Sequence, residues 1–301
     1  MMHFYGKLSI ISIIDSSFYL NMQIFRIPIS FGIILYSLSI EYFKLIYTNI
    51  YDVMKWKTQS ESPSSNLFYA ALKTKPFTRQ EADNLSFLMV HLSIGYKVLD
   101  LCPDIEDPGA FLLGSIAPDA IMFKPGCVRS DKTITHFCTG DEDWGFETNY
   151  DGWLENLSGN IKILAKSVNK DFLFGYTAHI ITDIENTRHF WTPVRLTNNP
   201  DTKNTFFNDC YEIDSILYEK IMRSENLWNT LENANKYEIG DLVMIEDLST
   251  LINKMQLDMY FNRNPDLEYK STIFTMEKAT SHMDMIIDTI LDHRKLIYPP
   301  E

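Results

Sequence analysis

Apolar residues recur at helical spacing along most of the chain, and the first long example follows Glu81. Up to residue 99 they share one helical face: Leu85, Leu88, Leu92, Val98 and Leu99. Thr78 and Glu81 form a capping box, in which the Thr hydroxyl accepts from the first turn and the Glu carboxylate reaches back. The pair Cys102-Pro103 predicts the end of the helix. The pattern therefore predicts a helix over residues 81–99.

The remaining apolar periods predict further helices and the loops between them. These helices cover residues 111–116, 172–186, 205–223, 241–260 and 270–296. Asp171 is the expected N-cap of the second, and Ala117-Pro118 ends the first. Segments rich in Gly, Pro and polar residues predict loops over 103–109, 124–152 and 193–202. Because strong strand-like alternation is hard to find after Lys55, we expect an all-α fold, a multi-helix bundle with long loops.

The first 53 residues differ from the rest in being rich in Ile, Leu, Phe, Tyr and Ser. Their longest uncharged stretch, residues 27–40, is shorter than the roughly 20 residues that a membrane-spanning helix needs. Three interpretations stay open: a translation start at Met54, a helical appendage, or a secretory signal. We therefore expect a hydrophobic N-terminal extension of open role at residues 1–53, a helical domain at residues 54–301, and no obligate membrane span.

Charge and cysteine content narrow the functional classes. The net charge of −13 disfavours wrapping of nucleic acid, which requires a surplus of Lys and Arg. It leaves room for an anionic substrate held by metal, because bound cations reverse the local field. The four cysteines form no CxxC pair, so a zinc ribbon is not indicated. Buried thiols of an intracellular protein are expected, with two disulfides as the alternative.

Histidines and carboxylates between residues 91 and 189 are the candidate chemistry. His179 and Asp183 lie at i and i+4 on one helix face, from which both can reach one metal ion. His91 lies on the apolar face of the first helix, where an unpaired imidazole is costly. Asp119 follows Pro118, where a carboxylate can point inward, and His136 lies in a loop-rich section. Taken singly, each is more often a core, surface or turn residue, so a metal site requires that they converge.

Four segments carry a family resemblance. They are Phe-Leu-Met-Val-His-Leu at 87–92, Phe-Leu-Leu-Gly-Ser-Ile-Ala-Pro-Asp at 111–119, Lys-Thr-Ile-Thr-His-Phe at 132–137 and Gly-Tyr-Thr-Ala-His-Ile-Ile-Thr-Asp at 175–183. In this order, and followed by His189, they resemble the zinc-dependent phospholipase C family, whose fold also serves single-strand nucleases. The resemblance covers about residues 80–190 and implies a closed helical bundle with metal ions at the base of a cleft.

The resemblance also implies the metal ligands. Asp119, His136, His179 and Asp183 would hold one zinc ion, and Asp183 would bridge to a neighbouring ion. His189 would belong to a second site, and His91 to a third or shared one. We therefore expect two Zn²⁺ ions, or three if His91 binds one, although carboxylate-rich sites also accept Mn or Fe.

Two departures from the family pattern concern the second and third ions. Secreted members use the free amino terminus as a ligand, whereas His91 lies far inside this chain, which argues against a third ion. The family also supplies a HxxxE pair after the position of His189, and no histidine lies between His189 and His282. Among Asp209, Glu212 and Asp214, we favour Asp209 and Asp214 as substitutes, with ordinary solvated carboxylates as the alternative.

The implied activity is zinc-dependent hydrolysis of a phosphodiester, in a phospholipid or related small molecule. Asp119 would orient or deprotonate the attacking water. A single-strand nuclease and a non-catalytic metal-binding helical protein are the alternatives, and nucleic acid is the less expected partner. We expect a cytoplasmic location, or membrane association through the N-terminal segment, and the oligomeric state stays open. Aromatic residues near the ligands would line a cleft or pack in the core: Trp144, Phe146, Tyr150, Trp153, Phe190 and Trp191.

Overall fold

Helices build the described part of the chain, as the apolar periods predict. The computed structural model describes residues 87–124, 126–138, 147–260, 263, 265–266 and 268–299, which all belong to one compact unit within residues 74–301. Its α-helices are α1 Leu88–Leu101, α2 Pro108–Gly114, α3 Lys132–Thr135, α4 Tyr150–Leu164, α5 Lys170–Asn186, α6 Thr192–Leu196, α7 Pro200–Ser224, α8 Leu227–Asn233, α9 Ile245–Lys254 and α10 Met276–His293. Shorter 3₁₀ segments cover Ala117–Phe123, Arg129–Asp131 and Arg294–Leu296, and π-helical turns cover Thr187–Trp191 and Met255–Met259. No strand occurs in these ranges, so the all-α fold is confirmed.

Helix α1 begins at Leu88, later than the predicted start at Glu81. A distant residue caps its first turn: the backbone N–H of Met89 donates a hydrogen bond to Asp214 Oδ1 of α7 at 2.9 Å. A local sequence pattern cannot predict such a tertiary cap. The helix ends at Leu101, which confirms the stop expected at Cys102-Pro103. The capping box at residues 78–81 and the domain boundary at residue 53 lie outside the described residues.

Helix α5 forms the centre of the core, because most of its residues from Asp171 to Glu185 are buried. The side chain of Asn169 caps it by accepting from the N–H of Phe172 at 3.0 Å. The prediction that Asp171 is the cap was wrong. Asp171 instead accepts from the backbone N–H of Asp107 at 2.7 Å and from the hydroxyl of Tyr298.

Some segments predicted as loops are helical. Helix α3 and the beginning of α4 lie within residues 124–152, and most of α6 and the beginning of α7 lie within residues 193–202. Asn149 caps α4 by accepting from the N–H of Gly152 at 3.1 Å. The long helices expected near the C-terminal end are confirmed as α7, α9 with its π-helical extension, and α10.

Helices α2 and α5 cross at two glycines, and this crossing sets the frame of the site. A Cβ atom on Gly114 would lie 2.1 Å from the carbonyl oxygen of Phe172, and one on Gly175 would lie 2.0 Å from that of Phe111. Both distances are far below van der Waals contact, so only glycine allows the backbones to approach this closely.

Two further expectations concern cysteines and membranes. All four cysteines are described and none is in a disulfide; Cys102 and Cys210 are buried, whereas Cys127 and Cys138 are half-buried. Among the described helices, none combines the length and apolarity that crossing a membrane requires.

Candidate metal centre

The glycine crossing places His179 of α5 against the end of α2. His179 Nδ1 lies 2.8 Å from the carbonyl oxygen of Ser115. Because a carbonyl oxygen can only accept, Nδ1 carries the proton and donates it. The lone pair of the neutral ring is therefore on Nε2, on the opposite side from Ser115. One backbone contact fixes both the orientation and the tautomer of the imidazole.

His136 is held in the same manner at the end of α3. Its Nδ1–H donates to the carbonyl oxygen of Lys132 at 2.9 Å, which leaves the lone pair on Nε2. Two neighbours fix the backbone around it. Trp153 Nε1 donates to the backbone carbonyl oxygen of His136 at 2.7 Å. The hydroxyl of Tyr176 donates to the backbone carbonyl oxygen of Thr135 at 2.5 Å. The imidazole is fully buried and rigidly placed.

The two imidazoles point their lone pairs at each other. His136 Nε2 and His179 Nε2 are 3.1 Å apart. In their neutral tautomers neither nitrogen carries a proton to share, so this contact is repulsive unless a cation lies beside both. Two imidazole nitrogens bound tetrahedrally to one zinc ion at about 2.0–2.1 Å are about 3.3–3.4 Å apart, close to the separation seen here. The observed spacing therefore fits a pair of ligands to one ion.

Two carboxylates complete the set. Asp183 lies one turn after His179 on α5, and its Oδ2 is 3.2 Å from His136 Nε2 and 3.7 Å from His179 Nε2. Asp119, in the first turn of the 3₁₀ segment Ala117–Phe123, has Oδ1 3.5 Å from His136 Nε2 and Oδ2 3.9 Å from His179 Nε2. These groups form two overlapping triplets that could hold a metal ion: His91, Asp119 and His179, and His136, His179 and Asp183.

His91 of α1 joins the cluster through its ring. It stacks on His179 with the ring centroids 3.8 Å apart and the planes 9° from parallel. Its Nε2 lies 3.4 Å from Asp183 Oδ1, while its buried Nδ1 has no hydrogen-bond partner among the described residues. Asp119 Oδ2 is likewise buried and accepts no hydrogen bond from them. Buried polar atoms left in this state fit a bound cation.

Lys132, which the sequence patterns did not indicate as a site residue, lies inside the cluster. The side chain is buried, and its Nζ lies 2.5 Å from Asp119 Oδ1 and 4.0 Å from Asp183 Oδ2. Lysines are rarely buried unless they are paired, and here the partner is Asp119. The one available signal was its position four residues before His136, one helical turn away.

The pKa shifts of His179, Asp183 and Asp119 favour the protonation states that metal binding requires. Burial, aided by His91, holds the pKa of His179 well below its usual range, against the pull of two carboxylates. Burial opposes ionisation of Asp183, but its contacts with His136 and His91 and the charge of Lys132 hold its pKa well below its usual range. Burial likewise opposes ionisation of Asp119, yet Lys132 and the imidazoles lower its pKa. A neutral imidazole beside ionised carboxylates is ready to bind a cation.

Three expected ligands lie outside the cluster. His189 has a side chain 43% exposed and pairs with Glu185, with Nε2 3.2 Å from Oε2. Asp209 Oδ2 accepts the backbone N–H groups of Thr272, Ile273 and Phe274, and its Oδ1 accepts from the hydroxyl of Tyr269. The structure therefore does not bring His189 or Asp209 to either triplet.

Asp214 also has partners of its own. Its Oδ2 lies 2.8 Å from Arg263 Nη1 and accepts from the hydroxyl of Tyr260 at 2.8 Å, while Oδ1 caps α1. Asp209 and Asp214 are both fully buried, so the alternative that they are solvated carboxylates is wrong. Their contacts hold other parts of the chain, and the cap from Asp214 anchors the helix that carries His91.

The described aromatic residues near the ligands pack into the core. Trp153 is 1% exposed, and its indole N–H donates to the backbone carbonyl oxygen of His136. Phe190 and Trp191 pack against Phe206, with ring centroids 6.4 Å and 5.0 Å away, respectively. Trp144 and Phe146 lie outside the described residues.

The chain matches no protein-family model, no curated protein and no solved structure. The resemblance to the zinc-dependent phospholipase C family therefore rests on the four sequence segments. The described part of the chain is an all-α protein whose buried histidines and aspartates could hold a metal ion.

Proposed function

We propose that this chain is a zinc-dependent phosphodiester hydrolase of the phospholipase C type. The observation that carries the proposal is the pair of imidazole nitrogens facing each other at 3.1 Å with a carboxylate beside them. The residues concerned come from the segments that resemble the family: His91, Asp119, His136, His179 and Asp183. Chance would not readily bring five residues from four separate helical segments to one point.

His136, His179 and Asp183 would hold the ion, with Asp119 as the fourth ligand. A bound zinc ion lowers the pKa of water toward 7 and neutralises phosphate oxygens. The protein supplies the rest: backbone carbonyls fix both imidazoles, and burial keeps bulk water away from the charges. Asp183 is the most exposed of these side chains, at 14%, so a substrate would approach from its side.

Cationic groups at this point suit an anionic substrate on a protein that is otherwise acidic. With a net charge of −13, the chain as a whole repels a phosphodiester. Lys132 and a bound cation would reverse the field locally, beside the two aspartates. The substrate class that we favour is therefore a small phosphodiester, such as a phospholipid headgroup ester, over a long nucleic acid.

Burial of the ligands favours one alternative, a non-catalytic protein that metal stabilises. His136 and His179 are both 0% exposed, and four protein ligands can close a zinc site. A closed site adds to the free energy of folding but leaves no position for a reacting water. The two functions differ in whether the loaded protein hydrolyses a phosphodiester.

Elemental analysis and hydrolysis, measured on the same preparations, test the proposal. The full chain is purified without chelator as wild type, His179→Ala and the control His293→Ala, whose imidazole contacts a backbone carbonyl on α10. Hydrolysis is followed with bis(p-nitrophenyl) phosphate and with p-nitrophenylphosphorylcholine, which carries a lipid headgroup. We expect zinc content and hydrolysis to fall more than about tenfold together in His179→Ala only. Zinc without hydrolysis would favour the non-catalytic alternative, and wild-type protein without metal after zinc is supplied would refute both.

A further inference from the structure

The two candidate triplets share His179, and this limits how many ions they can hold. Nδ1 of His179 donates to the carbonyl oxygen of Ser115, so the ring offers one lone pair, on Nε2. Both triplets need that nitrogen: one with His91 and Asp119, the other with His136 and Asp183. One lone pair binds one ion. The triplets therefore describe a single ion position and not two.

Lys132 lies where a second cation would be expected. Its ammonium lies 2.5 Å from Asp119 Oδ1 and 4.0 Å from Asp183 Oδ2, so it contacts one carboxylate and lies near the other. The side chain is 5% exposed, so this charge is screened little by solvent. A second ion, beside the one that the imidazoles bind, would have to compete with this ammonium for the oxygens of the two aspartates.

The net charge of the cluster also favours a single divalent ion. Two carboxylates and one ammonium leave one net negative charge on the buried groups, since the imidazoles that bind metal are neutral. One divalent ion turns this into one net positive charge. A second would raise it to three, in a site with little water to compensate.

We infer that Lys132 is a resident cation that takes the place of a second metal ion, so that the centre holds one divalent ion per chain. The inference rests on the proposed metal centre and narrows the count of two or three ions that the family resemblance implies. Lys132 acts as a positioning residue as well, because its carbonyl oxygen orients His136 while its ammonium holds Asp119.

Zinc titration against a chromogenic chelator tests this inference without any activity measurement. The proteins are the wild-type chain, Lys132→Met, Lys132→Arg and the control Lys162→Met, which removes an exposed charge on α4. Even at the dielectric constant of water, a unit charge about 5 Å from a divalent ion weakens its binding more than about tenfold. We expect one ion per wild-type chain and binding more than about tenfold tighter in Lys132→Met. Lys132→Arg and Lys162→Met should bind like the wild type.

The outcomes separate this inference from the proposed function. Two ions per wild-type chain would overturn it, and so would a folded Lys132→Met protein whose affinity stays within about threefold of wild type. If circular dichroism shows that Lys132→Met does not fold, the wild-type count decides. No zinc binding by any protein would overturn the metal centre itself. One ion per chain without phosphodiester hydrolysis would remove only the proposed function.

Discussion

Gly175→Ala is the substitution that most directly tests how the fold builds the centre. The added methyl would lie 2.0 Å from the carbonyl oxygen of Phe111 and 2.8 Å from the backbone nitrogen of Ser115. Neither contact is with a flexible side chain that can swing away. Helices α2 and α5 would have to separate by more than about 1 Å to restore van der Waals contact.

The magnitude follows from three contributions. Overpacking at a close helix crossing costs about 1–3 kcal/mol. Moving Ser115 away from His179 weakens a buried hydrogen bond, now 2.8 Å long, which costs about 1 kcal/mol more. Alanine in a helix interior gives back about 1 kcal/mol relative to glycine. We expect a net loss of about 1–3 kcal/mol of unfolding free energy, equivalent to a melting temperature lower by about 3–10 °C.

Gly159→Ala provides the matched control. Gly159 is an exposed helical glycine in α4, and a Cβ there would meet no atom within 4 Å. This substitution should stabilise the chain by about 0.5–1 kcal/mol. Urea unfolding measures both variants, and zinc titration should show at least about tenfold weaker binding only for Gly175→Ala, since the Ser115 contact orients a ligand. Equal stability and equal zinc affinity of the two variants would refute the role of the glycine crossing.

Three further predictions concern single carboxylates and one histidine. Asp119→Asn should lower turnover more than zinc content, and equal loss of both, by activity assay and elemental analysis, would count against Asp119 as a base. Asp209→Ala should lower the free energy of unfolding by about 3 kcal/mol, because the backbone N–H groups of residues 272–274 lose their acceptor. Zinc content should stay unchanged, and a fall in zinc content would indicate that Asp209 is a ligand. Burial lowers the pKa of His282 from 6.5 to about 4. The unfolded chain therefore binds a proton at this imidazole more readily than the folded chain does, and the free energy of unfolding falls as the pH drops from 6.5 to about 4. Urea midpoints at pH 7 and pH 5 should therefore differ less in His282→Leu than in wild type, and an equal difference would contradict this.

The ligand set could be predicted from sequence only as far as local geometry extends. His179 and Asp183 share a helix face at i and i+4, which a helical period predicts directly. The approach of Asp119 and His136 depends on how α2, α3 and α5 pack, and the four ordered segments pointed to it only through resemblance. The partners of Asp209 could not be predicted from local geometry, because the segment that it binds lies 60 or more residues later in the chain.

The prediction of secondary structure was wrong where a helix contains the polar residues and glycines that are typical of a loop. Gly152 and the polar residues before it made the beginning of α4 look like a loop, yet the helix buries Trp153, Leu157 and Ile161 at helical spacing. The described helix α1 begins at Leu88 and takes a cap from Asp214 in another helix, a contact that no local pattern predicts. The cap predicted at residue 78 lies outside the described residues.

The groups that orient the ligands explain why sequence alone could not complete the site. The carbonyl oxygens of Ser115 and Lys132 fix the two central imidazoles, and a backbone carbonyl is present whatever the side chain is. Nothing at residue 115 needs to be a particular amino acid for this purpose, so no motif marks it. Lys132 is the exception, because its side chain also binds Asp119. Substitution at residue 132 should therefore alter metal binding through charge, while the orienting hydrogen bond to His136 persists in every variant that folds.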